Sequence, residues 1–155
     1  MSLKNRLFWI VAVSGLLFDQ ITKLLVVQNF QLEQSLPLWP GVFELKYVLN
    51  EGAAFSLFRE HSEWLRWLSL TVSLGLAALA LFGPHLHRWE QAGYGFILAG
   101  ALGNGIDRFR IGKVVDFLYF SLINFPIFNF ADVFINVGII CLLLAAFLVK
   151  PVRSH

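Results

Sequence analysis

Residues 64–82 read WLRWLSLTVSLGLAALALF, an apolar run whose single charge, Arg66, sits near one end. The run is close to the about 20 residues that a helix needs to cross a hydrocarbon layer, and Arg66 can snorkel to the interface. Three other stretches extend the pattern. Residues 7–30 are apolar apart from a few positions that include Asp19 and Lys23. Residues 92–109 carry five glycines with Asn104, Asp107 and Arg108, and residues 133–149 hold Asn136 as their only strongly polar side chain. Four such segments in 155 residues predict a membrane all-α fold: one integral membrane domain over 1–155, built as a four-transmembrane-helix bundle.

Composition leads to the same class. Hydrophobic residues make up 57% of the chain and charged residues 14%, against about 25% charged in soluble domains, so disorder and an ordinary solvated surface are both excluded. Twelve basic and ten acidic residues leave a net charge of +2, too balanced for a nucleic-acid partner. The single cysteine, Cys141, rules out an intramolecular disulfide and a multi-cysteine metal site. His85 and His87 lack a third ligand and read as solvated loop residues, so no metal is expected. No glycine-rich phosphate loop is present.

Lys4, Arg6, Arg88, Lys150 and Arg153 all fall on one side of a four-span arrangement, the cytoplasmic side by the positive-inside rule. Both termini are therefore expected in the cytoplasm, with outer loops at 31–63 and 110–132. Arg108, Arg110 and Lys113 run against that rule, but an odd count would require a span to be deleted or invented. Trp9 and Trp89 suit one interface and Trp64 and Trp67 the other. No small-x-small site follows the first apolar run, so it reads as a retained span rather than a cleaved signal. In the first outer loop, Leu36-Pro37-Leu38-Trp39-Pro40-Gly41 reads as a turn and residues 42–49 as a short strand, which predicts a small extracytoplasmic β-sheet.

Ionisable groups inside spans cost about 2.5 to 3.5 kcal/mol on insertion scales, so each calls for a partner or a role. Asp19 and Lys23, four residues apart, share a helix face and can neutralise each other, which reads as an ion pair that orients helices. Gly95, Ala99 and Gly103 form a small-residue strip that permits close helix approach. Asp107 continues that strip, while Asn104 and Arg108 lie on an adjacent one with Gly100. Asp116 and Asp132 fall at the outer boundary, and the 15 residues between them let the chain bring them together. Asp132 has a second reading as the N-cap of the last helix. Two carboxylates in contact would share a proton, one activating water and the other donating to the scissile group. The residues alone leave a catalytic and a structural role for this pair both open.

Five ordered motifs then carry a resemblance. They are Asp19-Gln20-Ile21-Thr22-Lys23, Asn50-Glu51-Gly52-Ala53-Ala54-Phe55, Gly100-Ala101-Leu102-Gly103-Asn104-Gly105-Ile106-Asp107-Arg108, Val114-Val115-Asp116-Phe117 and Phe128-Asn129-Phe130-Ala131-Asp132. Over nearly its whole length the chain resembles the bacterial lipoprotein signal peptidase family, the type II signal peptidases. Ala99 departs from the glycine of many members but keeps the strip small.

The resemblance implies an aspartic endopeptidase of the bacterial cytoplasmic (inner) membrane, multi-pass, with its active site at the extracytoplasmic face and with no cofactor. Such an enzyme removes the signal peptide from diacylglyceryl-modified prolipoproteins by cleaving before the lipidated cysteine. Asp116 and Asp132 match the catalytic pair. Asn50, Gly52, Asn104, Arg108, Asn129 and Ala131 would shape the substrate site, supported by Asp19, Lys23 and Asp107. Prolipoprotein substrates, membrane lipids and globomycin-type inhibitors are the implied partners. The alternative is a small proton-coupled membrane transporter, because intramembrane Asp, Lys and Asn also mark ion pathways. A carrier would gather such groups near the midplane, whereas Asp107, Asp116 and Asp132 crowd the outer edge.

Overall fold

The computed structural model describes residues 4–52 and 62–148. Of the residues singled out in the sequence, Ala53, Ala54, Phe55, Val149, Lys150 and Arg153 lie outside the described residues. The described chain runs α1 (Arg6–Asn29), β1 (Ser35–Trp39), β2 (Phe43–Asn50), α2 (Ser62–Phe82), α3 (Arg88–Ile111), β3 (Val114–Tyr119) and α4 (Phe130–Leu148), with a 3-10 turn at Ser121–Ile123.

Each of the four segments read as spans forms a helix. Among the described residues, α1, α2 and α4 are long and apolar enough to cross a membrane. The third helix is not one of them, although its 24 residues would reach about 36 Å at 1.5 Å per residue. Glycines together with Asn104, Asp107 and Arg108 lower its hydropathy. Those polar groups are turned largely inward: α3 packs against α1, α2 and α4, and Asn104 and Asp107 are buried.

Small residues make that central position possible. A Cβ on Gly95 would stand 2.7 Å from the Phe8 carbonyl oxygen and 3.0 Å from Val11. Ala99 packs against Gly15, where an added Cβ would meet the Ala99 methyl at 2.9 Å, and Gly103 faces the Asp19 carboxyl group. The 95–99–103 strip therefore seats α1. A second set seats α4, because Gly93 and Gly138 face each other's carbonyl oxygens and Gly100 faces that of Ala131. Without side chains in between, the helix backbones approach closely and gain dispersion contacts.

Local chemistry fixes the helix ends. His87 and Glu90 form a capping box at the start of α3, so His87 is a cap rather than a merely solvated loop residue. Gly112 ends α3 at φ +72, a conformation that glycine adopts without a Cβ clash. Asn5 ties the start of α1 to the α2–α3 turn, donating to the Ala80 carbonyl at 3.1 Å and accepting from the Leu86 N–H at 3.0 Å. Phe8, Ala12, Ala80 and Leu98 form a core cluster.

The three strands form one antiparallel sheet in the order β1-β2-β3. The turn expected at 36–41 is corrected: Leu36 to Trp39 belong to β1, and the reversal falls at 39–42, where the Val42 N–H donates to the Trp39 carbonyl at 2.9 Å. Pro37 is compatible with a strand because β1 is an edge and its register shifts between Pro37 and Trp39. The strand β3 lies inside the segment expected to be an outer loop, and Leu118 forms a further bridge to Phe128.

Overpacking a close helix contact costs about 1 to 3 kcal/mol. Gly95→Leu should therefore lower the thermal unfolding midpoint of the purified protein by roughly 5 °C or more. Gly75→Ala enters open space and should leave the midpoint unchanged or slightly raised. Equal midpoints for the two variants would contradict close α1–α3 packing.

Candidate active site

The strand β3 sorts its side chains by face. Val115 and Phe117 join Val26 in an apolar cluster, while Val114 and Asp116, the alternate positions, line a cavity on the other face. Asp116 is 2% exposed. Its Oδ2 accepts from Asn50 Nδ2 at 2.9 Å, and its Oδ1 accepts from Asn129 Nδ2 at 2.6 Å. Burial first, and the nearby Asp132 second, push its pKa up from 3.8 to about 7, while the hydrogen bonds from Asn50 and Asn129 and the charge of Lys23 pull it down.

Asp132 lies in the first turn of α4, but the cap is Asn129. The Asn129 side-chain oxygen accepts from the Asp132 N–H at 3.1 Å, and Asp132 Oδ2 accepts from the Asn129 N–H at 3.1 Å. This reciprocal capping pair corrects the reading of Asp132 as the N-cap. The other Asp132 oxygen accepts from Asn104 Nδ2 at 2.8 Å. Asn129 thus bonds to both carboxylates, through its side chain to Asp116 and through its backbone to Asp132.

Asp116 and Asp132 line one cavity of about 1020 Å³ together with Asn50, Gly52, Asn104 and Arg108. The Asn50 side-chain oxygen accepts from the Gly52 N–H at 2.9 Å. Arg108 reaches toward the Gly52 carbonyl and the Ser69 hydroxyl, each at 3.5 Å. At the rim, Lys113 pairs with Glu51 at 2.7 Å, so one basic residue that ran against the expected orientation has an acidic partner.

Asp19, Lys23 and Asp107 sit behind the cavity rather than in its lining. The Lys23 ammonium meets Asp19 at 3.0 Å, Asp107 at 2.8 Å and the Asn104 side-chain oxygen at 3.0 Å. The expected pair is therefore a three-residue ion cluster. Asp19 also accepts from the Ala131 N–H at 2.9 Å, and Asp107 accepts from the Val115 N–H at 3.2 Å, which fixes the starts of α4 and β3. Ala131, fully buried, acts here through its backbone and its small size. Sequence reasoning missed Gln20, whose amide donates to Asp19, Asp107 and the Gly103 carbonyl. Its position beside Asp19 was the available signal. Among the described residues, no three His, Cys, Asp or Glu side chains converge as metal ligands.

Residues 11–148 match the family described as Signal peptidase (SPase) II. Proteins called lipoprotein signal peptidase are similar to this chain. One from a Cyanothece species is 65% identical, covering 100% of this chain and 91% of that protein. One from Microcystis aeruginosa is 68% identical, covering 93% and 94% respectively. Two solved structures, each described as a bacterial membrane enzyme, share the fold. One has a TM-score of 0.83 at 26% identity over 94% of this chain and 90% of the other. The second has a TM-score of 0.78 at 28% identity over 92% of both chains.

Removing one member of a buried ion cluster leaves its partners uncompensated, at about 3 to 5 kcal/mol. Lys23→Ala should accordingly lower the thermal unfolding midpoint of the purified protein by about 10 °C. A midpoint equal to wild type would contradict the structural role given to the cluster.

Proposed function

The chain belongs to the signal peptidase II family, and we propose that it removes signal peptides from prolipoproteins with Asp116 and Asp132 as a catalytic aspartate pair. It is a membrane protein and a protease by that membership and by its apolar helices. The carrier alternative has no support, since the family match is to peptidases. The aspartic assignment rests on one observation: both carboxylates line the same cavity and both bond to Asn129.

In this reading the pair holds one proton between substrates, and the burial of Asp116 favours that proton residing there. Asp132, supplied with N–H donors from Asn104 and Asn129 at the positive end of α4, accepts a proton from water as the water oxygen attacks the scissile carbonyl. Asp116 donates its proton to the carbonyl oxygen. Collapse of the intermediate sends a proton to the departing amine, and the pair is left with one proton again. Arg108 and Asn50 line the same cavity and would hold the substrate backbone.

The scissile bond we assign is the one before a diacylglyceryl-modified cysteine. Burying the acyl chains among lipid tails would supply affinity at about 0.8 kcal/mol per CH₂, and globomycin-type inhibitors would compete for the same cavity. We place the protein in the bacterial cytoplasmic (inner) membrane with α3 as a fourth span, since its neighbours cover its polar residues. An even span count puts both termini on the same side of the membrane, which we take as the cytoplasmic one. Lys4, Arg6 and Arg88 gather at the end of the bundle away from Asp132, as a cytoplasmic end requires.

Asp116→Asn and Asp132→Asn should each lower cleavage of a diacylated prolipoprotein by the purified protein at least about 1,000-fold, within the range of losing a general acid or base. Near-normal cleavage by either folded variant contradicts the pair. A second expectation concerns pH. Because the folded value of Asp116 is raised from 3.8 to about 7, folding favours its protonated form; this advantage is full below the unfolded value and is lost as pH rises through the folded one. Wild type should lose stability relative to Asp116→Asn between those two values, by at most about 1.4 kcal/mol per pH unit, and cleavage should fall above the upper one. Parallel stability curves for the two proteins would argue against a raised pKa.

A further inference from the structure

Of the three asparagines that bond to the aspartates, Asn129 and Asn104 have further partners that decide which way each amide points. An asparagine amide can present either its oxygen or its NH₂ in a given direction, and the surrounding donors and acceptors select between them. The Asn129 oxygen faces the Asp132 N–H, which can only donate, so the Asn129 NH₂ is left for Asp116. The same logic applies one step deeper. Lys23 Nζ has three donors and no acceptor, and it meets Asp19 at 3.0 Å, Asp107 at 2.8 Å and the Asn104 side-chain oxygen at 3.0 Å. Asn104 must therefore turn its oxygen toward Lys23, and its NH₂ is left to donate to Asp132 Oδ1 at 2.8 Å.

We propose that Lys23 is a positioning residue for hydrolysis: its third N–H bond locks the Asn104 amide so that an N–H, not an oxygen, faces Asp132. This rests on the assignment of Asp116 and Asp132 as the catalytic pair and adds a residue that touches neither carboxylate. With Lys23 absent, the Asn104 oxygen keeps only the Asn129 NH₂, a neutral donor shared with Asp116 and the Val115 carbonyl, and a flipped amide would present an oxygen lone pair to the Asp132 carboxylate. Neutralising Asp19 and Asp107 explains two of the lysine's bonds. The third is explained by Asn104. The Asn129 NH₂ also donates to the Asn104 oxygen, at 3.0 Å, but its two hydrogens are divided among that oxygen, Asp116 and the Val115 carbonyl, whereas the charged ammonium has one N–H for each of its three partners.

The test is a double-mutant cycle read in kcat and KM with purified full-length protein and a diacylated prolipoprotein. All four corners carry Asp107→Asn, so that removing the lysine cation does not leave two unpaired carboxylates. Within that background, Lys23→Met and Asn104→Leu should each lower kcat roughly 10- to 100-fold, the range for losing one hydrogen bond to a charged group, with KM little changed. Combining them should cost no more than Asn104→Leu alone, within about 2-fold, because both remove the same N–H from Asp132. Losses that multiply, or a Lys23→Met corner with the kcat of its background, overturn the proposal.

Should the Lys23→Met corner fail to fold, Asn104→Asp in the otherwise wild-type chain decides the matter. It keeps an oxygen for Lys23 but replaces the N–H at Asp132, so kcat of the folded variant should fall at least as far as with Asn104→Leu; wild-type kcat overturns the proposal. Asp132→Asn in the same assay separates the two levels. If it retains turnover, the catalytic assignment fails and the positioning role falls with it. If it is inactive while the cycle's losses multiply, the positioning role alone is wrong.

Discussion

A lysine ammonium buried inside a helix bundle has three N–H groups to satisfy, and the arrangement of the site follows from how Lys23 meets that demand. Its partners come from α1 itself, through Asp19, and from α3, through Asp107 and Asn104. Those partners carry the connection onward. Asp19 accepts from the first turn of α4 and Asp107 from the second residue of β3, so a charge cluster behind the cavity that holds both aspartates sets where the strand bearing Asp116 and the helix bearing Asp132 begin. A buried ion cluster is weak evidence for stability as such, since its desolvation cost can exceed the Coulombic gain. Its consequence here is register: sliding α4 against α1 would strand the Asp19 carboxylate without the Ala131 N–H.

The cluster exists only because the helices come close enough to form it. Gly103 leaves room for the Asp19 carboxyl group, and Gly100 for the Ala131 carbonyl oxygen. The glycines that make α3 poorly apolar are therefore the feature that lets polar side chains on α1, α3 and α4 reach one another. Low hydropathy and a central position have a single cause. A helix wrapped by three others does not need an apolar surface all round, and its polar groups can be spent on its neighbours.

Much of this was legible in the sequence where one residue type forces one outcome. Long apolar runs marked the helices, the spacing of Asp19 and Lys23 put them on one face, and the small-residue strip 95–99–103 announced a close contact. The strand carrying Asp116 was not legible as a strand. Five of its six residues are buried, so both faces read as apolar and the alternation that marks a half-exposed strand is missing. Asp107 as the third member of the ion cluster depends on a contact between helices far apart in the chain, and Asn129 rather than Asp132 as the helix cap is a choice between two capping side chains three residues apart. Periodicity within one segment cannot supply these. Pro37 was read as a turn signal and proved to sit on an edge strand, where its missing N–H costs no ladder bond.

The most direct measurement of the central claim is a pH titration of aspartate side-chain carboxyl ¹³C signals in the purified protein, repeated with Asp132→Asn. A coupled pair predicts one carboxyl, assigned to Asp116 by its loss in Asp116→Asn, that keeps its proton to about pH 7 and titrates at lower pH once Asp132 can no longer ionise. An Asp116 signal that titrates near its ordinary value of 3.8, unmoved by the change at Asp132, would contradict the account.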